Sequence, residues 1–225
     1  MLLISYKASE AFKNFLRENN ISYILTCKNP KLDPRISDHP DLSVFRLDDK
    51  NIVIADSVYD YYKNNLDGYK LIRGEDPEKT YPKDAIYNVV SFKDFYIHND
   101  QTEANIKKYF KNTNIAHIKV RQGYTRCSII PLKERLLTAD YGIYKALKDR
   151  LDIGLLDRDK IILDGFDEGF LGGCGGVYED KLIFTGDISR HKSYGLIKKS
   201  AEDDGLRLLY PKGLDLVDLG SLISL

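Results

Sequence analysis

The sequence predicts an α/β fold built from five ββαβ repeats closed into a ring. Three observations lead there. A short apolar run followed by a helix-compatible segment recurs five times, a second and a third apolar run follow each time, and the spacing stays near 40–50 residues. The openings are LLISYKASEAF from Leu2, NIVIADSVYDYY from Asn51, FYIHNDQTEANI from Phe95, RLLTADYGIYKAL from Arg135 and KLIFTGDISRH from Lys181.

Each opening starts with three or four strand-forming residues, passes a polar residue and enters a segment with helical periodicity. Four junctions carry a capping residue or first-turn acid: Asp56 with Ser57, Asp100 with Thr102, Asp140, and Asp187 with Ser189. The helices then place apolar side chains on one face: Phe12 and Leu16; Tyr59 and Tyr62; Ile106, Tyr109 and Phe110; Ile143 and Leu147; Leu196 and Ile197. The second strands read SYILT, YKLIR, AHIKV, IGLLD and LRLLY. The third read HPDLSVFRL, DAIYNVVSF, RCSIIPL, FLGGCGGVY and LVDLGSLISL. The repeats therefore run approximately 1–49, 50–94, 95–134, 135–180 and 181–225, as one domain.

A helix in every repeat rules out an all-β propeller blade. The third strands are expected to gather around a central axis and enclose a polar pocket there, and closure leaves no sheet edge open at the chain ends. The competing arrangement is an ordinary three-layer α/β sandwich.

Composition narrows the function. The 225 residues are 43% hydrophobic and 30% charged, with a formal net charge of +0. A polyphosphate partner would need a clustered surplus of Lys and Arg, so neither nucleic acid nor an anionic membrane is expected. The first residues, MLLISYKASE, hold too short an apolar run for a signal-peptide core, and the expected compartment is the cytoplasm. Three widely spaced cysteines (Cys27, Cys127, Cys174) with no CxxC favour neither disulfides nor a structural zinc. No cofactor or metal is expected. The expected partner is a small molecule, and a homo-oligomer is compatible with the composition.

GFLGGCGG at 169–176 is the most unusual local composition. It lacks the Gly-Lys-Ser/Thr of a phosphate loop, so its glycines are read as close backbone approach at the axis or a positive-φ turn. Asp187 and His191 are read as helix capping in preference to a metal pair. His98 and His117 are read as strand residues.

Two stretches resemble a known family. HPDLSVFRLDDKNIVI from His39 is similar to the His-x-Asp element of the arginine deiminase branch of the pentein, or α/β-propeller, fold. GYTRCSIIPL is similar to the strand of that branch that carries its nucleophilic cysteine, and it lies two repeats after the histidine, as in the family. The chain as a whole also resembles a small bacterial pentein-like branch. This resemblance implies a cysteine-dependent hydrolase or transferase, deiminase-like or amidinotransferase-like, acting on a guanidine or amidine. It also admits a catalytically silent protein that binds a metabolite or protein partner, since the fold includes a non-enzymatic member.

The resemblance assigns catalytic roles to Cys127, His39 and Asp41. The family's Glu-Gly-Gly-Asp strand has no counterpart ahead of His39. A circularly permuted register moves the guanidinium-binding acids to Asp218 and to Asp167 or Glu168. Arg126 and Asn88 complete the expected substrate-binding set, with Cys174 as an alternative thiol. These residue types suit the chemistry. A thiolate attacks a planar carbon when nearby cations lower its pKa, histidine moves the proton, and paired carboxylates hold a guanidinium. Read alone, each has a plainer role: Cys127 as a small apolar residue alternating with Ile129 in a strand, His39 and Asp41 in a turn around Pro40, and Asp218 as a surface acid.

Overall fold

The computed structural model describes residues 1–225. It contains five three-stranded sheets arranged as blades of a closed ring. The first strands are β1 (Leu2–Ile4), β4 (Asn51–Ala55), β7 (Phe95–His98), β10 (Leu136–Thr138) and β13 (Lys181–Phe184). The second are β2 (Tyr23–Leu25), β5 (Lys70–Gly74), β8 (Ala116–Lys119), β11 (Ile153–Leu155) and β14 (Arg207–Leu209). The third are β3 (Val44–Arg46), β6 (Val90–Phe92), β9 (Ile129–Pro131), β12 (Gly175–Tyr178) and β15 (Ile223–Ser224).

First and second strands of a repeat pair in parallel, which requires a crossover, and a helix supplies it. The third strand pairs antiparallel with the first strand of the next repeat: β3 with β4, β6 with β7, β9 with β10, β12 with β13. Each blade thus takes strands from two successive repeats. The last strand closes the circle, β15 running antiparallel to β1 with Leu2 opposite Ser224. The third strands line the axis, β9 packing beside β6 and β12, and β12 beside β15. Each blade is thereby joined to the next by the chain that crosses from its parallel strand, and the β15–β1 pairing closes the ring.

The crossover helices are α1 (Glu10–Glu18), α2 (Tyr59–Lys63), α3 (Ala104–Asn112), α5 (Tyr141–Leu147) and α6 (Tyr194–Asp203), with a single helical turn, α4 (Thr125–Ser128), ahead of β9. Their expected inner faces are buried at Phe12, Leu16, Tyr62, Ile106, Phe110, Ile143, Leu147 and Ile197. Tyr59 and Tyr109 are half-buried, and Leu196 is 38% exposed, because Ile197 and Ala201 already fill the face that α6 turns inward.

Two caps differ from expectation. Glu103, not Asp100 or Thr102, caps α3 by accepting the Ile106 N–H at 2.9 Å. Asp56 does not cap α2 but pairs with Arg73 at 2.6 Å, and α2 starts without a side-chain cap. Asp140 caps α5 as expected, and Asp187 holds the 3-10 turn Ile188–Arg190 through Ser189. The hydrophobic core is divided into wedges, each held between blades and their helices. No helix is long and apolar enough to cross a membrane.

Candidate active site

The third strands all enter the axis from the same end, and the residues just ahead of them meet there. Five equivalent positions, two or three residues before each third strand, hold Asp41, Asn88, Cys127, Gly173 and Ser221. Pro40 opens a 3-10 turn (Pro40–Leu42) that places His39 and Asp41 before β3. Asn88 precedes β6 in an irregular turn held by its N–H bond to the Ala85 carbonyl, 2.9 Å. Cys127 lies in α4, so the strand reading of this residue is corrected. The chain turns once as a helix from Thr125, and the extended run begins only at Ile129.

A belt of hydrogen bonds joins these turns. Asn88 Oδ1 accepts from the Arg126 and Cys127 N–H groups at 2.6 and 3.1 Å. Its Nδ2 donates to Cys127 Sγ at 3.3 Å and to the Asp41 carbonyl at 3.5 Å. Cys127 Sγ donates to Asp41 Oδ2 at 3.0 Å, and Ser221 Oγ donates to the same oxygen at 2.6 Å. Asp41 N–H reaches the Gly220 carbonyl at 3.4 Å, while Leu219 and Ser221 N–H groups reach Gly173 O at 3.1 and 2.9 Å.

Asp218 accepts from Phe170 N–H at 2.8 Å and from Gly220 N–H at 3.0 Å. It occupies the space that a side chain in repeat four would take, for a Cβ on Gly173 would lie 1.9 Å from Asp218 Oδ1. The glycine run thus serves close approach. Gly172 sits against the Cys127 and Ile129 carbonyls and Gly176 against Leu222 O. The positive-φ alternative for this run is not realised, since Gly172, Gly173, Gly175 and Gly176 all avoid that region.

His39 packs on Gly220, which has φ +74 and leaves no room for a Cβ beside the His39 ring. Its imidazole has no hydrogen bond to Cys127 or Asp41, and its charged neighbours are Asp218, Asp38 and Lys7. Burial holds its pKa below the ordinary value, with the two carboxylates opposing.

All of these groups are buried, Cys127, Asp41 and Asp218 to 2% exposed each. Burial raises the Asp41 carboxyl to about 6, against the Ser221 and Cys127 hydrogen bonds that favour its anion. One of its oxygens, Oδ1, has no partner. Burial also raises Asp218, and it raises the Cys127 thiol well above its usual range, reinforced by the charges of Asp41 and Asp218. At rest Cys127 is therefore a neutral thiol donating to a carboxylate.

The polar pocket expected at the axis is covered on the loop side, while a cavity of about 170 Å³ on the strand side reaches Asp41 and Arg126. Leu32, Ile36, Leu42 and Ala85 form an apolar cap with Tyr124 and Leu163. Tyr124 hydrogen-bonds Asp84 and packs on Phe170. Arg35 fastens the loop after β11 by donating to Gly165 O at 2.7 Å and lying 4.0 Å over the Phe166 ring.

The remaining expected residues lie apart from the belt's side chains. Arg126 turns its guanidinium onto main-chain carbonyls: Ile129 O at 3.1 Å, Gly172 O at 3.3 Å and Gly175 O at 3.2 Å. Asp167 and Glu168 are exposed on the loop after β11 and do not join the cluster, because the chain turns inward only from Gly169. Cys174 is buried among apolar side chains, its thiol raised by burial and its Sγ 3.6 Å from the Phe170 carbonyl. Ser221 and Gly173 were not singled out from the sequence. Their position two residues before a third strand, shared with Asn88 and Cys127, is the signal that finds them.

Residues 3–223 match a family described as a family of unknown function, DUF6873. The chain belongs to this family. No curated protein matches the chain. Among solved structures, it is similar to a dimethylarginine dimethylaminohydrolase from Pseudomonas aeruginosa, a cysteine-to-serine mutant complexed with citrulline. The identity is 14% and the TM-score 0.55, covering 93% of this chain and 81% of that one. A second dimethylarginine dimethylaminohydrolase, an adduct with 4-chloro-2-hydroxymethylpyridine, is 11% identical with a TM-score of 0.55, covering 94% and 91%. A third, a histidine-to-glycine variant bound to S-methyl-L-thiocitrulline, is 13% identical with a TM-score of 0.56, covering 93% and 82%. These likenesses establish the pentein fold of the DUF6873 chain, the fold of guanidino-modifying enzymes.

Proposed function

We propose that the protein is a cysteine-dependent hydrolase or amidine transferase for a small planar cation of the guanidine or amidine class. The observation that carries this reading is the Cys127–Asp41 contact, made inside a buried cluster where one Asp41 oxygen lacks a partner and Asp218 and His39 stand close by. A buried carboxylate oxygen without a donor is costly, and a cationic N–H would satisfy it. The cation's charge would also lower the thiol pKa that the two carboxylates raise.

In this reading the Cys127 proton passes to His39 as the cation enters, and the thiolate forms a C–S bond to the central carbon, whose C–N bond to the leaving amine then breaks. His39 delivers a proton to the departing amine. It then takes one from the water, or acceptor amine, that breaks the C–S bond. Asp41 and Asp218 hold the cation in line.

The test is alkylation by 2-chloroacetamidine against neutral 2-chloroacetamide, followed by peptide mass spectrometry, with half-exposed Cys27 as the internal reference. Relative to Cys27, Cys127 is expected to react at least tenfold faster with the amidine than with the amide. Asp41→Asn is expected to remove that preference. Arg35→Ala, which frees the loop over the site, is expected to raise the Cys127 rate severalfold. Equal reactivity toward the two reagents would overturn the reading. The second reading, a silent pentein that binds a metabolite or partner, is favoured by the buried, neutral thiol, and it predicts that Cys127 stays unlabelled in Arg35→Ala as well.

A further inference from the structure

A cavity of about 200 Å³, apart from the axis, lies in the blade of β9, β10 and β11, between β10 and the loop that runs to Leu171. Its floor is apolar, formed by Ile130, Leu137, Leu156, Ile161 and Leu171. Its rim carries Asp140, Asp157, Asp159 and Glu168 against one Arg158.

The rim keeps negative charge to spare. Asp159 is satisfied by Lys192, through its N–H at 2.9 Å and its ammonium at 3.7 Å. Asp140 uses one oxygen to cap Ile143 N–H at 2.9 Å, and Asp157 accepts from Ser193 Oγ at 3.0 Å. Neither these two nor Glu168 pairs with a Lys or Arg. His191 closes one side. Its Nδ1 accepts the Ser193 N–H at 3.1 Å, so its proton sits on Nε2.

The independent observation is Ser128. It lines the same cavity, is 7% exposed, and its buried hydroxyl has no hydrogen-bond partner. Buried polar groups of this kind are rare because each costs the desolvation of an unmade bond. A ligand seated on the apolar floor would supply the partner.

We infer that this cavity binds a compact organic ammonium ion, its apolar body on the floor and its N–H groups shared between the rim carboxylates and the Ser128 hydroxyl. The volume is below the roughly 300–1,000 Å³ of drug-sized sites, which limits the ligand to about the size of one ring and a short arm. An anion is disfavoured by three unpaired carboxylates, and no group of three His, Cys, Asp or Glu side chains is close enough together to hold a metal ion. The site is separate from the Cys127 belt, although Ser128 adjoins Cys127 in α4.

Benzylamine and benzyl alcohol are the probes, followed by amide shifts in the ¹⁵N-labelled protein. Benzylamine is expected to bind at least tenfold more tightly than the alcohol, with shifts confined to 128–140, 156–161, 168–172 and 191. Asp157→Asn with Glu168→Gln, both exposed positions that leave the core intact, is expected to abolish the tenfold preference, and Ser128→Ala to weaken benzylamine severalfold. Equal binding of amine and alcohol, or shifts centred on Asp41 and Asn88, would overturn the inference. Cys127→Ala is expected to retain benzylamine binding, so loss of the proposed catalysis and loss of this site are read separately.

Discussion

Replacing Arg126 with methionine is expected to lower the unfolding free energy by about 1–3 kcal/mol. The guanidinium donates to three carbonyls, Ile129 O, Gly172 O and Gly175 O, belonging to β9, the glycine turn and β12. These carbonyls lie where two blades meet at the axis, and all three residues are buried. Gly172 O keeps the Gly175 N–H and Gly175 O keeps the Leu222 N–H at 3.2 Å, so the loss falls mainly on Ile129 O, and a buried carbonyl left without a donor costs about 1–3 kcal/mol. Methionine keeps most of the volume and removes the cost of desolvating a cation, which offsets part of the loss. Arg126→Lys is expected to fall between the two, since one ammonium cannot span all three oxygens as a planar fork does. Urea unfolding monitored by tyrosine fluorescence and circular dichroism measures this. A shift under about 1 kcal/mol would show that the axis is held by strand pairing alone, against a total stability of about 5–15 kcal/mol for a domain.

That role for Arg126 marks where the sequence stops being legible. The repeats were readable because each blade is built from local signals. Leu2–Ile4, Ile52–Ala55 and Leu182–Phe184 are unbroken apolar runs, and Asp140 caps the helix it was expected to begin. Even the glycine-rich third strand of repeat four forms, because Gly176 and Val177 pair with Ile183 and Leu182. What stayed hidden depends on neighbours far apart in the chain. Cys127 reads as strand from its own surroundings, since Ile129 and Ile130 follow it. Its helical turn is set by Asn88, 39 residues away, which caps the N–H groups of Arg126 and Cys127.

The acids show the same limit. Asp167 and Glu168 have the right residue type beside the right glycines, but they fall before the chain turns inward. Asp218 reaches the axis because Gly173 leaves a gap there, a fact about one blade's missing side chain in another blade's site. His39 and Asp41 were legible as a pair because Pro40 alone directs that turn. The cover on the loop side was not legible, because Leu32, Ile36 and Leu163 are ordinary apolar residues until the ring brings two loops together.

Asp41→Asn is expected to stabilise the protein at pH 7 and to do so less as the pH falls. The folded Asp41 carboxyl titrates at about 6, raised by burial, against about 3.9 in the unfolded chain. Below pH 4 it is protonated in both states and contributes nothing. Between about 4 and 6 the unfolded state ionises while the folded state stays neutral, so stability falls as pH rises, and above 6 the loss is complete. Two units correspond to about 3 kcal/mol. Asparagine keeps an acceptor for Ser221 or Cys127 but carries no charge, so about 2 kcal/mol of that loss is expected back at pH 7.

The measurement must be the difference between variant and parent at each pH, because His39 and His98 act in the opposite sense. Burial lowers both, His98 to about 4, so their contribution is lost as pH falls below about 6.5. The difference curve cancels them and leaves Asp41. A curve flat to within about 0.5 kcal/mol from pH 4 to 7 would mean that Asp41 is not a buried anion at neutral pH. It would also withdraw the charge with which the site is proposed to hold a planar cation. A curve that rises with pH would mean that the chain keeps, at the centre of its ring, an acid that weakens its fold, as a binding residue does and a packing residue does not.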